Sequence, residues 1–258
     1  MLHYFRTVII LVTILFPVLL PAESLDSLIQ KINTRMESHT KNESFICSIL
    51  SKEMRMDKHW EPEKIKIIEK KMIKNGEDIT IQVSRAVEIK DGEEKDITED
   101  VRKEVENSQE TVEEKDHDKD KEEGKRTVSL SSDELNPFSN ENKSLYTFIL
   151  LPDTLNFHRI QTTAKEPDDK RFEGIYRINQ TTGSIEQMDL HPSKNPRFVK
   201  SFNFTLKFSE INETRWVLTY SRVRVYVSLL IKKIRIVTED AYSDFVFSEE
   251  EAGQPSAP

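Results

Sequence analysis

Apolar and polar residues alternate along most of the chain, and this alternation predicts β-strands. Phe202, Phe204, Leu206 and Phe208 are separated by polar residues. A period of two places such side chains on one face of a half-buried antiparallel strand. Comparable patterns predict ten strands, at 45–50, 65–74, 77–89, 145–151, 156–163, 171–179, 184–190, 198–208, 215–227 and 231–245.

One amphipathic helix is predicted ahead of these strands. Ser24 can cap its N-terminus, and a stripe at helical spacing follows: Leu25, Leu28, Ile29, Ile32 and Met36. A stripe of this width covers an apolar surface. We expect that surface to be the core of the sheet rather than a partner protein.

Turn signals divide the strands. Asn75-Gly76 separates two apolar runs and predicts a hairpin, since both residue types tolerate positive φ. The corresponding two-residue register pairs Met72 with Ile79 and Ile68 with Val83. Farther on, Thr181–Gly183 predicts a second turn.

The first 22 residues have the pattern of a secretory signal peptide. Arg6 precedes an apolar run, Val8–Leu20, which is broken by Thr13 alone, and small Ala22 precedes polar residues. An uncleaved membrane anchor is the alternative. The run is shorter than the roughly 20 residues that cross a bilayer, so we expect cleavage after Ala22 and a periplasmic location.

Acidic charge is concentrated in one segment. Residues 91–126 contain 16 acidic and 8 basic side chains, which accounts for the net charge of −8 of the whole chain. The remainder has no excess basic charge for phosphate contacts, so nucleic-acid binding is not expected. Residues 91–134 are predicted to be a solvent-exposed, largely disordered insertion with a marginal helix around Val101 and Val105. Deletion of Asp96–Glu123 is expected to leave thermal stability nearly unchanged.

The insertion divides the predicted organisation of the chain. A signal peptide at 1–22 precedes a helix and first strands at 23–90, and the insertion occupies 91–134. The remaining strands of the same sheet occupy 135–247, and a polar tail occupies 248–258.

No motif for catalysis, metal binding or cofactor binding is present. The six histidines have no metal-ligand spacing, and the single cysteine, Cys47, has no catalytic motif around it. We expect no enzyme activity and no cofactor, with Cys47 buried in a strand.

The apolar face of the sheet is the candidate site. Either it forms a closed core, or it forms a groove for a hydrophobic ligand. If strands 198–208 and 215–227 pair as a hairpin, their apolar faces combine and the N-terminal helix covers them as a lid. The candidate lipid-binding residues are therefore Phe202, Phe204, Leu206, Phe208, Val223, Val225, Val227, Leu25, Leu28, Ile29 and Ile32.

Short segments in the second half also resemble a known family. Their order is Asn136–Phe138, Phe172–Tyr176, Thr182–Ile185, Pro192–Lys194, Arg197–Lys200, Arg215–Leu218 and Tyr242–Phe245. In this order they resemble the bacterial outer-membrane lipoprotein-sorting, or LolA-like, proteins over residues 135–247. The resemblance implies a mainly β (α+β) fold, an incomplete antiparallel barrel of about ten strands with an N-terminal lid helix.

It also implies a non-enzymatic role in binding a lipid or the acyl chains of a lipoprotein for sorting to the outer membrane. The alternative is an envelope sensing or structural module of the same fold, with a closed core and a protein partner.

Leu229–Ile231, ahead of two lysines, has two interpretations. One is a continuous bent strand, which the lack of Gly, Asn and Pro favours. The other is an apolar tip that transiently touches a membrane or membrane protein.

Overall fold

The structure is a computed structural model that describes residues 24–38, 44–76, 78–115, 136–211, 215–229 and 232–248. These residues form helices α1 (Leu25–Ser38) and α2 (Thr98–Lys115) and a short 3-10 helix at Lys143–Leu145. The strands are β1 (Phe45–Met56), β2 (Pro62–Asn75), β3 (Asp78–Lys90), β4 (Glu93–Asp96), β5 (Tyr146–Thr154), β6 (Phe157–Ala164), β7 (Phe172–Asn179), β8 (Ile185–Pro192), β9 (Val199–Glu210), β10 (Trp216–Ser228) and β11 (Lys233–Phe247).

All the described strands belong to one antiparallel sheet, in the order β4-β3-β2-β1-β11-β10-β9-β8-β7-β6-β5. Two runs of sequential hairpins, β1–β4 and β5–β11, are joined where β1 pairs with the last strand. The sheet is open, because β4 and β5 form separate edges. The predicted mainly β fold and its ten strands are confirmed, and β4 is an additional strand.

Both helices lie on the same face of the sheet. Directly paired residues of antiparallel strands share a face, and one row of pairs crosses nearly the whole sheet: Ala86, Ile68, Ser51, Asp240, Ser221, Leu206, Met188, Tyr176 and Ile160. Its apolar ends lie in two separate hydrophobic clusters. We call the face that this row defines the helix face.

The α1 core is the larger of the two clusters. Leu28 and Ile32 of α1 are completely buried against Phe138, which precedes β5, and against Tyr176 and other side chains of β6–β9. Ser24 caps the helix as predicted, because its Oγ accepts a hydrogen bond from the backbone N–H of Ser27 at 3.2 Å. The apolar stripe of α1 therefore packs on the sheet.

The α2 core corrects the prediction for the acidic segment. Ile97 and Val101, predicted to lie in a largely disordered insertion, are 8% and 4% exposed and pack against Ile68, Val83 and Ala86. The predicted helix around Val101 is present. Val101 and Val105, four residues apart, are enough to pack α2 on the sheet, because β2 and β3 supply the rest of the apolar surface. Residues 116–135 lie outside the described residues.

The register of the β2–β3 hairpin differs from the prediction. Asn75 pairs with Asp78 and Met72 pairs with Ile81, so the turn begins at Gly76, whose φ is +62°. A bulge at Glu69 then pairs Ile68 with Ala86. Before the bulge the two-residue shift leaves the side chains on the predicted face, so alternation alone could not reveal it. Beyond the bulge Ile68 lies opposite Ala86 and not Val83, a shift of three residues.

The interpretation of Leu229–Ile231 as a continuous bent strand is wrong. Ser228 pairs with Lys233, and the backbone N–H of Leu229 donates to the Lys232 carbonyl oxygen at 2.8 Å. β10 and β11 therefore form a hairpin whose turn lies between Ser228 and Lys233. Backbone hydrogen bonds between Leu229 and Lys232 close it, although the segment has none of the residue types that favour turns. The predicted signal peptide, 1–22, and residues 249–258 of the tail lie outside the described residues.

Candidate functional site

The structure brings together most of the predicted lipid-binding residues. Nine of them belong to the α1 core or pack against it: Leu25, Leu28, Ile29, Ile32, Phe202, Phe204, Leu206, Phe208 and Val223. Val225 and Val227 lie on the same face but belong to neither described core. The predicted set is therefore divided into a covered part and an uncovered part.

Strands β9 and β10 form the expected hairpin, with apolar residues directly opposite one another. Phe204 pairs with Val223, and Phe202 pairs with Val225. The Phe204 ring also meets the Phe172 ring edge to face, with centroids 5.1 Å apart. With 3% of its surface exposed, Phe204 is enclosed by side chains of the protein itself.

Polar contacts fix α1 in place at its edges. Arg35 Nη2 lies 2.6 Å from Glu210 Oε1, and both side chains are about four-fifths buried. Asn33 Nδ2 donates to the Phe138 carbonyl oxygen at 2.5 Å. These bonds connect the helix to β9 and to the segment before β5, which holds it over the α1 core.

The predicted turn at Thr181–Gly183 is also a docking point for α1. Gly183 has φ +78°, and a Cβ there would lie 2.8 Å from Cγ of Lys31. The Lys31 ammonium donates to the Gln180 carbonyl oxygen at 2.6 Å. Glycine thus serves both the left-handed turn and the close approach of the helix.

A buried polar stripe separates the α1 core from the α2 core. Asp240 accepts hydrogen bonds from Ser51, which is completely buried, and from Ser221 at 3.2 Å. Burial, and secondarily the Asp240 carboxylate, raises the pKa of Tyr242 above its ordinary value. These satisfied polar groups interrupt the apolar surface at the middle of the sheet.

Four residues along the strands from this stripe, the apolar surface continues on the same face without a helix above it. Phe202, Val225 and Ile236 are consecutive cross-strand partners on β9, β10 and β11. Ile236 is 42% exposed, and Val227 pairs with Ile234 beside it. We call Phe202, Val225, Val227, Ile234 and Ile236 the apolar row. It leads from the edge of the α1 core toward β1 and β2.

A cleft with basic walls lies at the far end of the apolar row. Its volume is about 290 Å³, and Met54, Ile234 and Ile236 form its apolar lining. Its charged lining residues are Glu53, Arg55, Lys64, Lys66 and Lys232. We call this feature the basic cleft. Arg55 pairs directly with both Ile236 and Lys64, so the cations continue the apolar row.

Two of these cations make only long ion pairs. Arg55 Nε is 3.9 Å from Glu63 Oε2, and Lys66 Nζ is 4.0 Å from an oxygen of Glu104, which is 75% exposed. Lys64 forms a closer pair with Glu88, and that hydrogen bond lowers the pKa of the Glu88 carboxyl. Exposed pairs of the long kind contribute little, so Arg55 and Lys66 can bind an incoming anion.

The described residues contain no cluster of three or more His, Cys, Asp or Glu side chains that could hold a metal ion. Cys47 is buried in β1, as predicted, and burial raises the pKa of its thiol to about 11. Such a thiol is protonated near neutral pH and a poor nucleophile. No helix in the described part of the chain has the length and apolar character to cross a bilayer.

The sequence analysis did not predict five of the candidate residues, which are Ile234, Ile236, Arg55, Lys64 and Lys66. The first two alternate with Lys233 and Arg235, the same signal that identified Val225 and Val227. The cations carry no such signal. Their position beside the apolar row depends on the pairing of β1 with β11, whose sequences are far apart.

Comparison with known proteins gives similarity to solved structures alone. No family model and no curated protein matches the chain. A LolA superfamily protein from Nitrosomonas europaea is 11% identical and aligns over 89% of this chain and 96% of its own, with a TM-score of 0.36. A putative outer membrane lipoprotein-sorting protein domain from Vibrio parahaemolyticus is 9% identical over 88% and 94%, with a TM-score of 0.38.

A DUF1329 family protein from Desulfovibrio piger is 12% identical over 91% of this chain and 96% of its own, with a TM-score of 0.41. At these identities and TM-scores the similarity assigns no ligand to this chain. The chemistry of the site follows from its own residues.

Proposed function

We propose that this protein is a non-enzymatic periplasmic binder of lipid, or of the acyl chains of a lipoprotein, and serves their transport or sorting to the outer membrane. The observation that supports this proposal is the apolar row. It joins the edge of the α1 core to open solvent on the helix face. An acyl chain has the shape and polarity to cover such a row.

The energetic argument is the cost of leaving the row exposed to water. Burying apolar surface stabilises by roughly 25 cal/mol per Å², and single exposed side chains are common in soluble proteins. Phe202, Val225 and Ile236 are contiguous, however, and lie between two helix-covered regions. An acyl chain laid along them extends an apolar surface that the protein already builds.

In this proposal α1 is a lid. Its apolar side covers Phe204 and Leu206, and its polar bonds to Glu210 and to the Phe138 carbonyl oxygen lie at its edges. Movement of α1 would add the covered part of the predicted lipid-binding set to the apolar row. Contact with the membrane or with a membrane protein would be transient, during loading and release.

Native mass spectrometry of the protein purified from the envelope of its source cells tests this function. We expect a bound species whose mass and fragments identify acyl chains. N-terminal sequencing of the same sample should give Glu23 as the first residue. Protein that is free of ligand in the envelope, and that binds no acyl compound when one is added, would refute the proposal.

The filled α1 core supports a second candidate, an envelope sensing or structural module with a protein partner. Leu28 and Ile32 are fully buried and Phe204 is 3% exposed, which a protein that carries no ligand would also show. Crosslinking in intact cells distinguishes the two candidates. A stoichiometric protein adduct without co-purified acyl chains favours the module.

A further inference from the structure

We propose that the basic cleft binds the oxyanion head group of an acyl-bearing amphiphile whose chain lies along the apolar row. Arg55, Lys64 and Lys66 are the head-group ligands in this proposal. It rests on the proposed function and adds the class of ligand, because an acyl-chain site alone would accept neutral lipids equally well.

The geometry places head group and chain on one line across the strands. Lys64, Arg55, Ile236, Val225 and Phe202 are successive cross-strand partners on β2, β1, β11, β10 and β9. Four strand spacings of about 4.8 Å give this line a length of about 19 Å. The line changes from cationic to apolar between Arg55 and Ile236. An anionic amphiphile changes from polar to apolar in the same way.

The sign of the charge follows from the lining residues. The basic cleft has four cationic side chains and one carboxylate, Glu53, although the whole chain has a net charge of −8. Glu53 is the cross-strand partner of Lys66, which offsets one of the cations. Glu63, Glu88 and Glu104 pair with three of these cations from outside the lining, so an anion is held by the hydrogen-bond donors that line the cleft and not by a net positive charge of the region.

The available cations suit a phosphate or carboxylate. Arg55 can offer two parallel N–H donors to an oxyanion, and its ion pair with Glu63 is long and exposed. Lys64 is fixed by Glu88 on the neighbouring strand. An oxyanion in the basic cleft would therefore gain charge-assisted hydrogen bonds from Arg55 and Lys66 and break no short ion pair.

Three matched compounds test the proposal by titration calorimetry on the purified mature protein, below their aggregation concentrations. 1-Oleoyl lysophosphatidate has both the chain and the phosphate. 1-Monoolein has the same chain without the phosphate, and glycerol 3-phosphate has the phosphate without the chain. We expect lysophosphatidate to bind at least about tenfold more tightly than monoolein, and its affinity to fall as salt is raised. Glycerol 3-phosphate should bind far more weakly.

A pair of double variants identifies the cleft as the place of binding. Replacing Arg55 and Lys66 by glutamine should weaken lysophosphatidate binding about tenfold and leave monoolein binding unchanged. The control replaces Lys52 and Lys71, on the same two strands but the opposite face, by glutamine. It makes the same change in net charge and should retain the parental affinity for both compounds.

Each other outcome overturns a stated claim. If monoolein binds as tightly as lysophosphatidate, the basic cleft does not recognise the head group, while the proposed acyl-chain function stands. If glycerol 3-phosphate binds as tightly as lysophosphatidate, the cleft is an anion site without an acyl chain. Equal losses in both double variants would show a general charge effect. If neither acyl compound binds, the proposed function itself fails.

Discussion

Replacing Phe204 by alanine tests whether the α1 core is filled by the protein's own side chains. The ring is 3% exposed, meets Phe172 edge to face and lies 5.8 Å from the Phe202 ring. Truncating a buried phenylalanine to alanine costs about 3–5 kcal/mol, because the transfer free energy is lost and a cavity remains. For a chain of this size, that loss lowers the melting temperature by about 6–20 °C.

Urea unfolding followed by circular dichroism gives the free energy of unfolding of parent and variant. Val225→Ala is the matched control, since Val225 lies in the same hairpin but outside both described cores. We expect the control to lose about 1 kcal/mol or less. Equal small losses for Phe204→Ala and Val225→Ala would refute the reasoning, because the Phe204 ring would then border a void that a ligand normally fills.

Three further predictions concern other parts of the sheet. Val101→Ala should cost about 1–3 kcal/mol of unfolding free energy and exposed Glu106→Ala about 0.5 or less; equal values would mean that α2 does not pack on β2 and β3. Gly174→Ala should lower the free energy of unfolding by about 2–4 kcal/mol, since φ is +151° and a Cβ would lie 2.0 Å from the Asp189 carbonyl oxygen. An unchanged melting curve would contradict this close approach. Cys47 should resist iodoacetamide at pH 8 in the folded protein. Its pKa of about 11 means that roughly one thiol in a thousand is ionised at that pH. Rapid alkylation without denaturant would contradict this prediction and show that the thiol is accessible.

Local patterns were sufficient to predict the strands and α1. Alternation placed Phe204 and Val223 on one face, and the helical stripe placed Leu28 and Ile32 toward it. These predictions succeeded because each depends on residues within one element. The resembling segments contribute to the same region, since Tyr176 within them is completely buried in the α1 core.

Contacts between distant parts of the chain were beyond local patterns. Nothing in the sequence of β1 indicates that it pairs with β11, and this pairing creates the basic cleft. α2 was expected to be marginal because its charge dominates its composition. Ile97 and Val101 become core residues through contact with β2 and β3, and propensity within the helix does not reveal this contact.

The central claim, that an acyl chain lies along the apolar row, is tested most directly by photo-crosslinking. A lysophosphatidate analogue with a diazirine in the middle of its acyl chain would be bound to the mature protein and irradiated, and the adducts would be located by peptide mass spectrometry. The account predicts adducts on Val225, Ile234 and Ile236, reduced by an excess of unlabelled lysophosphatidate. Adducts confined to side chains of the opposite face, such as Arg222 or Arg224, or labelling that unlabelled compound does not reduce, would contradict it.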